Sequence, residues 1–211
     1  MPNPVDHMPA PRRSRTLDTL FEIAIEHGGL FTTKEARDAG VPYTMLSYHT
    51  EHGDLERLMQ GVYRLTRFPA GRFEDVIAVT LWAGFDCAAS HETALAIYGL
   101  ADALPGQINI TTPSRFRGVR DGVIVHYAPL SASEVWQWEN VQVTRPERTL
   151  ADVARRSDPN LVKQAAKEAL DSGLTTRRRL AIFLAEQPDQ SHIRRIWRLR
   201  LPSLNRNRQE P

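Results

Sequence analysis

Residues 31–65, with the sequence FTTKEARDAGVPYTMLSYHTEHGDLERLMQGVYRL, constrain the fold of this chain more than any other stretch. Two short helical patterns flank a Gly-Val-Pro break, and a glycine-terminated return leads into an alternating segment. Gly40 tolerates a positive φ, and Pro42 fixes the exit from the turn, so the second of these helices follows closely on the first. The pattern predicts a helix-turn-helix followed by a short β-ribbon.

The residues before the break predict two helices. From Thr16 the apolar side chains recur at helical spacing, and the glycines at 28–29 end this first helix. Thr32 and Glu35 have the spacing of a capping box, in which the hydroxyl accepts from the Glu35 amide and the carboxylate reaches back. We therefore expect a second helix that begins here and ends near residues 39–40.

The residues after the break predict a third helix and the ribbon. The helix spans about residues 43–52 and ends at Gly53, and Gly61 provides the turn or bulge of a two-stranded ribbon. Three helices and a ribbon are the plan of a winged helix-turn-helix. The residues expected to face inward from the ribbon are Leu55, Leu58, Val62 and Leu65.

The remainder of the chain predicts an α+β domain. Helical periodicity gives way to strand-like runs (QINITT, GVIVHYA, EVWQWE, VQVT) and then returns in segments that begin with Pro146, Pro159 and TTRRRL. We expect helices packed around a small antiparallel sheet. The predicted divisions are a flexible basic arm (1–15), a winged helix-turn-helix DNA-binding domain (16–68), a linker near 67–73, a C-terminal α+β domain (72–200) and a basic tail (201–211).

Composition favours an intracellular protein. At 211 residues and 41% hydrophobic content, the chain can bury one large core or two modest ones. Cys87 has no partner for an intrachain disulfide, and a lone thiol in an apolar run is typical of a packed residue in a reducing compartment. No stretch approaches ~18 uninterrupted apolar residues, and the N-terminus lacks an apolar signal core. We expect a cytoplasmic protein with no membrane contact.

Familiar catalytic motifs are missing from the sequence. It contains no phosphate-binding glycine loop, no HExxH, no GxSxG and no Glu-X-Lys pair of a metal-dependent nuclease. The histidines lack metal-ligand spacing, and His49 and His52 have no further ligand beside them. Ser90, His91 and Glu92 are neighbours along the chain, so we interpret Ser90 as the N-cap of a helix rather than a nucleophile. We expect neither metal nor cofactor.

The third helix has the features of a recognition helix. Leu46 and His49 share one face and should dock inward, with His49 a packed residue rather than a base reader. The opposite face carries polar and aromatic side chains that can bond base edges or phosphates, namely Tyr43, Thr44, Ser47 and Tyr48. Arg57, Gln60 and Arg64 flank the ribbon, where a wing touches DNA. The alternative is a winged helix that serves only as a protein-interaction module.

Charge is distributed unevenly along the chain. The net charge is only +2, and residues 1–70 carry about as many acidic as basic side chains. A DNA-binding domain of this composition needs phosphate contacts from outside its helices. We expect them from the wing, from the basic arm and from the basic last stretch of the chain (190–211), including Arg12, Arg13, Arg15, Arg194, Arg195 and Arg198.

Several blocks of the sequence resemble those of one protein family. The segment GGLFTTKEARDAGVPYTMLSYHTEHGDLERLMQGVYRL resembles the N-terminal winged helix of AbiEi-type antitoxins of type IV toxin–antitoxin systems. AASHETALAIYGL, INITTP, GVIVHYAPL and VTRPERTLADVA are similar to blocks of its C-terminal domain. The likeness covers about residues 16–185, and the GVY ribbon together with PERTLAD is its most specific part.

The resemblance implies a function for each domain. It implies an autorepressor that binds inverted repeats in its own promoter as cooperatively loaded monomers, with base reading on the third helix and wing. It also implies that residues 74–200 neutralise a nucleotidyltransferase-like toxin, directly or functionally. The alternative to a non-enzymatic antitoxin is an enzyme that silences the toxin by covalent modification such as phosphorylation.

Two positions bear on this resemblance. His49 stands where such domains usually place Leu, which affects how the third helix is seated. In PERTLAD, we interpret Arg148, Thr149 and Asp152 as structural, with Arg148 pairing locally near the start of a helix, rather than as a catalytic set.

Overall fold

The computed structural model describes residues 12–84, 86–115 and 118–187. The chain forms two compact units. The first comprises Met1–Phe85 and Glu139–Val141, and the second comprises Asp86–Trp138 and Gln142–Pro211. Both helices and strands occur in each unit, which confirms the α+β class.

The first unit contains the predicted helix-turn-helix and ribbon. Gly28, in the left-handed conformation, ends a short 3-10 turn (Ile25–His27) that follows the first helix. The elements are α1 (Arg12–Ala24), β1 (Leu30–Thr32), α2 (Thr33–Asp38), α3 (Tyr43–Glu51), β2 (Leu55–Met59), β3 (Val62–Leu65) and α4 (Glu74–Ala83).

The ribbon belongs to a sheet of three antiparallel strands in the order β1-β3-β2. Leu30 pairs with Arg64 and Thr32 with Val62, so β1 extends the two predicted strands. The sequence did not predict β1, because three residues are too few to show an alternating pattern. Since Thr32 is also the N-cap of α2, this strand fixes the position at which the second helix begins.

A bulge changes the predicted inward face of β2. The pairing register shifts between Arg57 and Met59, so Met59 is buried and Leu58 is only half-buried. The prediction that Leu58 faces inward is therefore wrong, since an extra residue at a bulge breaks strict alternation. The other three predicted inward residues are buried, namely Leu55, Val62 and Leu65.

The core of the first unit joins its helices to its sheet. It is formed mainly by aliphatic residues with two aromatic rings, and its buried members are Leu17, Leu20, Ala24, Phe31, Ala36, Val41, Leu46, Leu55, Tyr63 and Leu65. The rings of Phe31 and Tyr63 stack with centroids 5.9 Å apart. Because Leu46 belongs to this cluster, the inner face of α3 is fixed by the same core as the sheet.

Two predicted boundaries differ from the structure. α1 begins at Arg12, so the predicted arm of residues 1–15 includes the first residues of a helix; residues 1–11 lie outside the described range. α4 was predicted to belong to the C-terminal domain, but it packs against β1, β2 and β3 and belongs to the first unit. Its apolar stretch covers that sheet, and an apolar helical pattern alone does not reveal which sheet it covers.

The second unit is built on a five-stranded sheet in the order β6-β5-β4-β8-β7. The predicted runs form four of the strands, and a two-residue strand was not predicted. The elements are β4 (Ala88–Ala89), α5 (His91–Tyr98), β5 (Ile108–Thr112), β6 (Val123–Tyr127), a 3-10 turn (Ala132–Glu134), β7 (Val135–Trp138), β8 (Val141–Thr144), α6 (Pro146–Ala154), α7 (Pro159–Asp171) and α8 (Arg177–Ala185).

The sequence predicted an antiparallel sheet, but this sheet is mixed. β4 pairs antiparallel with β5, whereas β5–β6 and β4–β8 pair in parallel. Alternation of apolar residues identifies a strand but not the direction of its partner, which explains the error. The helices α6 and α7 begin at proline, as predicted. Cys87 is buried, and burial raises the pKa of its thiol to about 12.

Candidate nucleic-acid interface

The turn between α2 and α3 is fixed by its capping interactions. The Thr32 hydroxyl accepts from the Glu35 amide at 3.1 Å, and the Glu35 carboxylate accepts from the Thr32 amide at 2.7 Å, which confirms the predicted capping box. Gly40 has φ +81°, and the Val41 amide donates to the Ala36 carbonyl at 2.8 Å. The turn therefore directs the chain into α3 while Val41 enters the core.

The inner face of α3 is buried as predicted. Leu46 and His49 are both fully inaccessible to solvent. His49 Nδ1 lies 2.9 Å from a carboxylate oxygen of Asp54, so Nδ1 carries a proton and donates. Among the described residues, His49 Nε2 is buried without a hydrogen-bond partner. The bond to Asp54 joins α3 to the residue that immediately precedes β2.

The outer face of α3 is open to solvent. Tyr43 is 56% exposed and Tyr48 38%, Thr44 is exposed, and Ser47 is half-buried. The Tyr48 ring lies 4.0 Å from the His52 ring, centroid to centroid, which limits the range of its orientations. These side chains form what we call the reading face: Tyr43, Thr44, Ser47 and Tyr48.

The wing lies beside this face within the first unit. Gln60 and Gly61 connect β2 to β3, with Gly61 at φ +77°, and the Gly61 carbonyl accepts from the Thr33 amide at 2.9 Å. Arg57 and Gln60 are exposed. Burial, and then the neighbouring Tyr43 of α3, raise the pKa of Tyr63 above its ordinary value. The sequence did not single out Tyr63, because a buried strand tyrosine has the pattern of an ordinary core residue.

Arg64 has a different environment from the other wing residues. Its guanidinium pairs with Glu56 and with Glu74 of α4, the latter at 3.2 Å, and its side chain is only 18% exposed. The hydrogen bond to Glu56 raises the pKa of Arg64 above its ordinary value. Two carboxylates already neutralise this cation, so it is less available to a phosphate than Arg57.

The remaining predicted contacts lie at the two ends of the chain. Arg12 and Arg13 belong to the first turn of α1, and Arg15 follows them on the same helix, exposed. Arg194, Arg195 and Arg198 lie outside the described residues, as does the helix predicted near 191–200.

In the second unit, the polar block of α6 is a structural network. Arg148 Nε donates to both carboxylate oxygens of Asp152, at 2.9 and 3.1 Å, and its Nη1 donates to Glu134 at 2.7 Å. Thr149 donates to the Thr144 carbonyl at 2.9 Å. Local pairing of Arg148, predicted from the sequence, is confirmed.

Ser90 does not act as the predicted side-chain cap. It occupies the N-cap position of α5, but its hydroxyl makes no capping hydrogen bond. Instead Ser90 Oγ accepts from Thr111 at 2.8 Å and lies 3.0 Å from His91 Nδ1. Ser90 correctly predicted where the helix begins, but its hydroxyl bonds to Thr111 of β5 instead of capping the helix.

Within residues 12–84, 86–115 and 118–187, no group of three or more His, Cys, Asp or Glu side chains is arranged to hold a metal ion. In the same ranges no helix has the length and apolar character needed to cross a membrane.

Comparisons with known proteins relate both units to one family. The family model described as "Transcriptional regulator, AbiEi antitoxin" matches residues 18–66, and the model described as "AbiEi antitoxin C-terminal domain" matches residues 87–201. No curated protein matches the chain. Among solved structures, the RV2827C protein from Mycobacterium tuberculosis is similar, with 18% sequence identity, a TM-score of 0.52, and coverage of 88% of this chain and 75% of that one. That likeness concerns the fold alone.

Proposed function

Since the chain belongs to the AbiEi antitoxin family and is an antitoxin with a regulatory role, we propose that it represses its own operon by binding inverted-repeat DNA in the promoter. The repressor activity resides in the winged helix-turn-helix of residues 16–68. The antitoxin activity resides in the C-terminal domain, for which the sequence indicated residues 72–200.

The observation that supports DNA reading best is the contrast between the two faces of α3. One face is anchored through Leu46 and His49, and the other presents the reading face to solvent. A recognition helix needs both properties, because a side chain discriminates between bases only when its backbone is held in place.

Each part of the surface has a distinct role in this proposal. The reading face enters the major groove, where hydroxyl groups bond base edges and the tyrosine rings contact sugar and thymine methyl groups. Arg57 and Gln60 contact phosphates or the minor groove beside the wing. Arg64 holds β3 to β2 through Glu56 and to α4 through Glu74, and it contributes little to DNA binding.

Phosphate neutralisation comes largely from outside the reading face. Residues 1–70 carry about as many acidic as basic side chains, so the basic residues at both ends of the chain supply much of the affinity. These are Arg12, Arg13 and Arg15 of α1 and Arg194, Arg195 and Arg198 of the C-terminal segment. Monomers load cooperatively on the two halves of the inverted repeat.

The antitoxin activity is of type IV and acts on a nucleotidyltransferase-like toxin in the cytoplasm. The C-terminal domain neutralises this toxin, directly or functionally, without chemistry of its own. Incubation of both proteins with nucleotide labelled on its phosphates tests that statement. Incorporation of label into the toxin that depends on the antitoxin would show a covalent modification and contradict a non-enzymatic mechanism.

A binding experiment tests the repressor activity. The protein is titrated into a fluorescent duplex of its own upstream region, with an excess of unlabelled unrelated duplex, and the same region drives a reporter gene in cells. We expect saturable binding and reduced reporter output, both lost in a double variant, Thr44→Ala with Tyr48→Ala. A double variant on an exposed part of α7, Lys163→Ala with Lys167→Ala, is the matched control and should retain both. Equal binding to both duplexes by the unmodified protein would contradict sequence-specific repression.

A further inference from the structure

The second unit contains a polar cavity of about 390 Å³ that none of the roles above uses. One wall is the strand β6 with the residues that follow it, and the other is one side of α6 with the turn after it. The cavity combines three arginines and two histidines with a partly apolar wall. Clefts of about 300–1,000 Å³ with a few convergent polar groups are typical small-molecule sites.

Two histidine rings lie stacked at this cavity. His91 and His126 are parallel within 18°, with ring centroids 3.7 Å apart. His126 Nε2 lies 2.9 Å from Asn109 Oδ1. The side-chain nitrogen of Asn109, Nδ2, donates to the Gln107 carbonyl and so fixes the orientation of the side-chain amide. Oδ1 is therefore the atom that accepts from His126. Nε2 of His126 therefore carries the ring proton.

The His91 ring is fixed through two hydroxyl groups. Thr111 donates to Ser90 Oγ, and the hydroxyl proton of Ser90 is then available to His91 Nδ1. In a neutral ring this assigns the proton of His91 to Nε2. Burial lowers the pKa of both rings to about 4, so they stay neutral near pH 7 and act as hydrogen-bonding groups rather than charges.

The backbone of His91 is also unusual. Its φ is +52°, in the left-handed region that non-glycine residues rarely adopt. Such conformations reduce stability and cluster at ligand sites, where the surrounding structure enforces them. Here the strained residue begins α5 and brings its ring onto His126, so the strain and the stacked pair have the same location.

Three arginines make the cavity electropositive. Arg148 uses Nε and Nη1 in its hydrogen bonds to the described residues, which leaves Nη2 outside that network. Arg155 and Arg156 are exposed in the turn after α6. Asp152 is the one acidic residue in the lining, and Arg148 already pairs with it. Two cationic charges therefore remain without a carboxylate partner in the lining.

From this arrangement we propose that the cavity binds a small phosphorylated molecule. The guanidinium groups of Arg155 and Arg156 bind the phosphate oxygens, because a planar fork of N–H donors matches an oxyanion. Neutral His91 contributes its Nε2–H as a donor without adding charge, whereas the single N–H of His126 is already donated to Asn109. Ile124, Val125 and Ala128 provide an apolar wall for the carbon part of the ligand. The volume is larger than inorganic phosphate alone requires, which indicates a phosphate ester.

Calorimetric titration of the full chain tests this proposal. The probes are ribose 5-phosphate, AMP and inorganic phosphate, with ribose and adenosine as unphosphorylated controls. We expect saturable binding of both esters, weaker binding of inorganic phosphate, and no binding of ribose or adenosine. Binding of adenosine as tight as that of AMP would overturn the proposal, as would the absence of binding by both esters at millimolar concentration.

A charge-matched pair of variants locates the site. The double variant Arg155→Gln with Arg156→Gln should weaken ester binding about tenfold or more, because two charge-assisted hydrogen bonds are lost. Arg177→Gln with Arg178→Gln removes the same charge from exposed positions at the start of α8 and should leave binding unchanged. All four positions are exposed, so both variants should fold, and a thermal melt checks this. Equal affinity in the two double variants would overturn the assignment.

A competition measurement identifies the source of the phosphate. If short duplex DNA displaces ribose 5-phosphate from the unmodified protein, and Arg155→Gln with Arg156→Gln also weakens binding of the duplex itself, the arginines serve a nucleic-acid backbone, and the small-molecule proposal fails. Retained ester binding in the presence of duplex supports it. This outcome is separate from repression, which depends on the reading face of the first unit.

Discussion

Two substitutions in the first unit distinguish a phosphate contact from a base contact, if α3 and the wing bind DNA as proposed. Arg57→Gln removes an exposed cation from the wing, and Thr44→Val removes an exposed hydroxyl from α3 with almost no change of shape. Neither side chain belongs to the core, so both variants should stay within about 0.5 kcal/mol of the unmodified stability.

The two changes should have different signatures. Loss of one phosphate contact makes the negative slope of log K against log salt shallower by about 0.9. Over a rise from about 50 to about 200 mM salt, the Arg57→Gln variant should therefore lose about 3.5-fold less affinity than the unmodified protein. Loss of one neutral hydrogen bond costs about 0.5–1.5 kcal/mol, so Thr44→Val should weaken binding about two- to twelvefold without changing the slope.

Fluorescence anisotropy on a specific and an unrelated duplex measures both effects. Arg57→Gln should weaken binding to both duplexes, whereas Thr44→Val should weaken binding only to the specific one. Lys163→Gln, an exposed cation on α7, serves as the charge-matched control. If Thr44→Val weakened binding to both duplexes equally, or if Arg57→Gln left the salt dependence of binding unchanged, the assignment of these residues would be refuted.

Three further predictions address the rest of the molecule. Deletion of residues 190–211 should weaken DNA binding and lower the salt slope by several units, at about 0.9 per phosphate contact; an unchanged slope would show that this segment does not touch DNA. Arg148→Met should destabilise the second unit by about 3–5 kcal/mol because it leaves the buried Asp152 unpaired, and a denaturant titration with no loss would contradict the proposed network. Because the pKa of His91 and of His126 falls from 6.5 to about 4 on folding, the unfolded chain binds more protons between these values, so stability should decline as pH falls from 6.5 towards 4; His126→Gln should reduce this decline, and an unchanged pH dependence would show that His126 does not titrate in this way.

Local signals in the sequence predicted the helices of the first unit well. Gly28, Gly40 and Gly61 require positive φ, and each ends or turns an element as predicted. The capping box at Thr32 gave the start of α2 because both of its hydrogen bonds form within one turn. Such features depend on residues close together in the chain, so they are visible without knowledge of the fold.

Features that depend on distant residues were not predicted. The pairing of Arg64 with Glu74 joins a strand to a helix beyond the linker, and no local pattern reveals it. The stacking of His91 on His126 likewise requires the parallel pairing of β5 with β6, whereas the sequence suggested an antiparallel sheet. The candidate reading face could be inferred from helical periodicity, but the second cavity could not.

Site-specific photocrosslinking tests the central claim most directly, namely that the exposed face of α3 enters a DNA groove. A benzophenone amino acid replaces Tyr43 or Tyr48 in turn, and the protein is irradiated on a labelled duplex of its own upstream region. We expect crosslinks from both positions, and an excess of unlabelled specific duplex should abolish them whereas unrelated duplex should not. A stable complex that yields no crosslink from either position would contradict it.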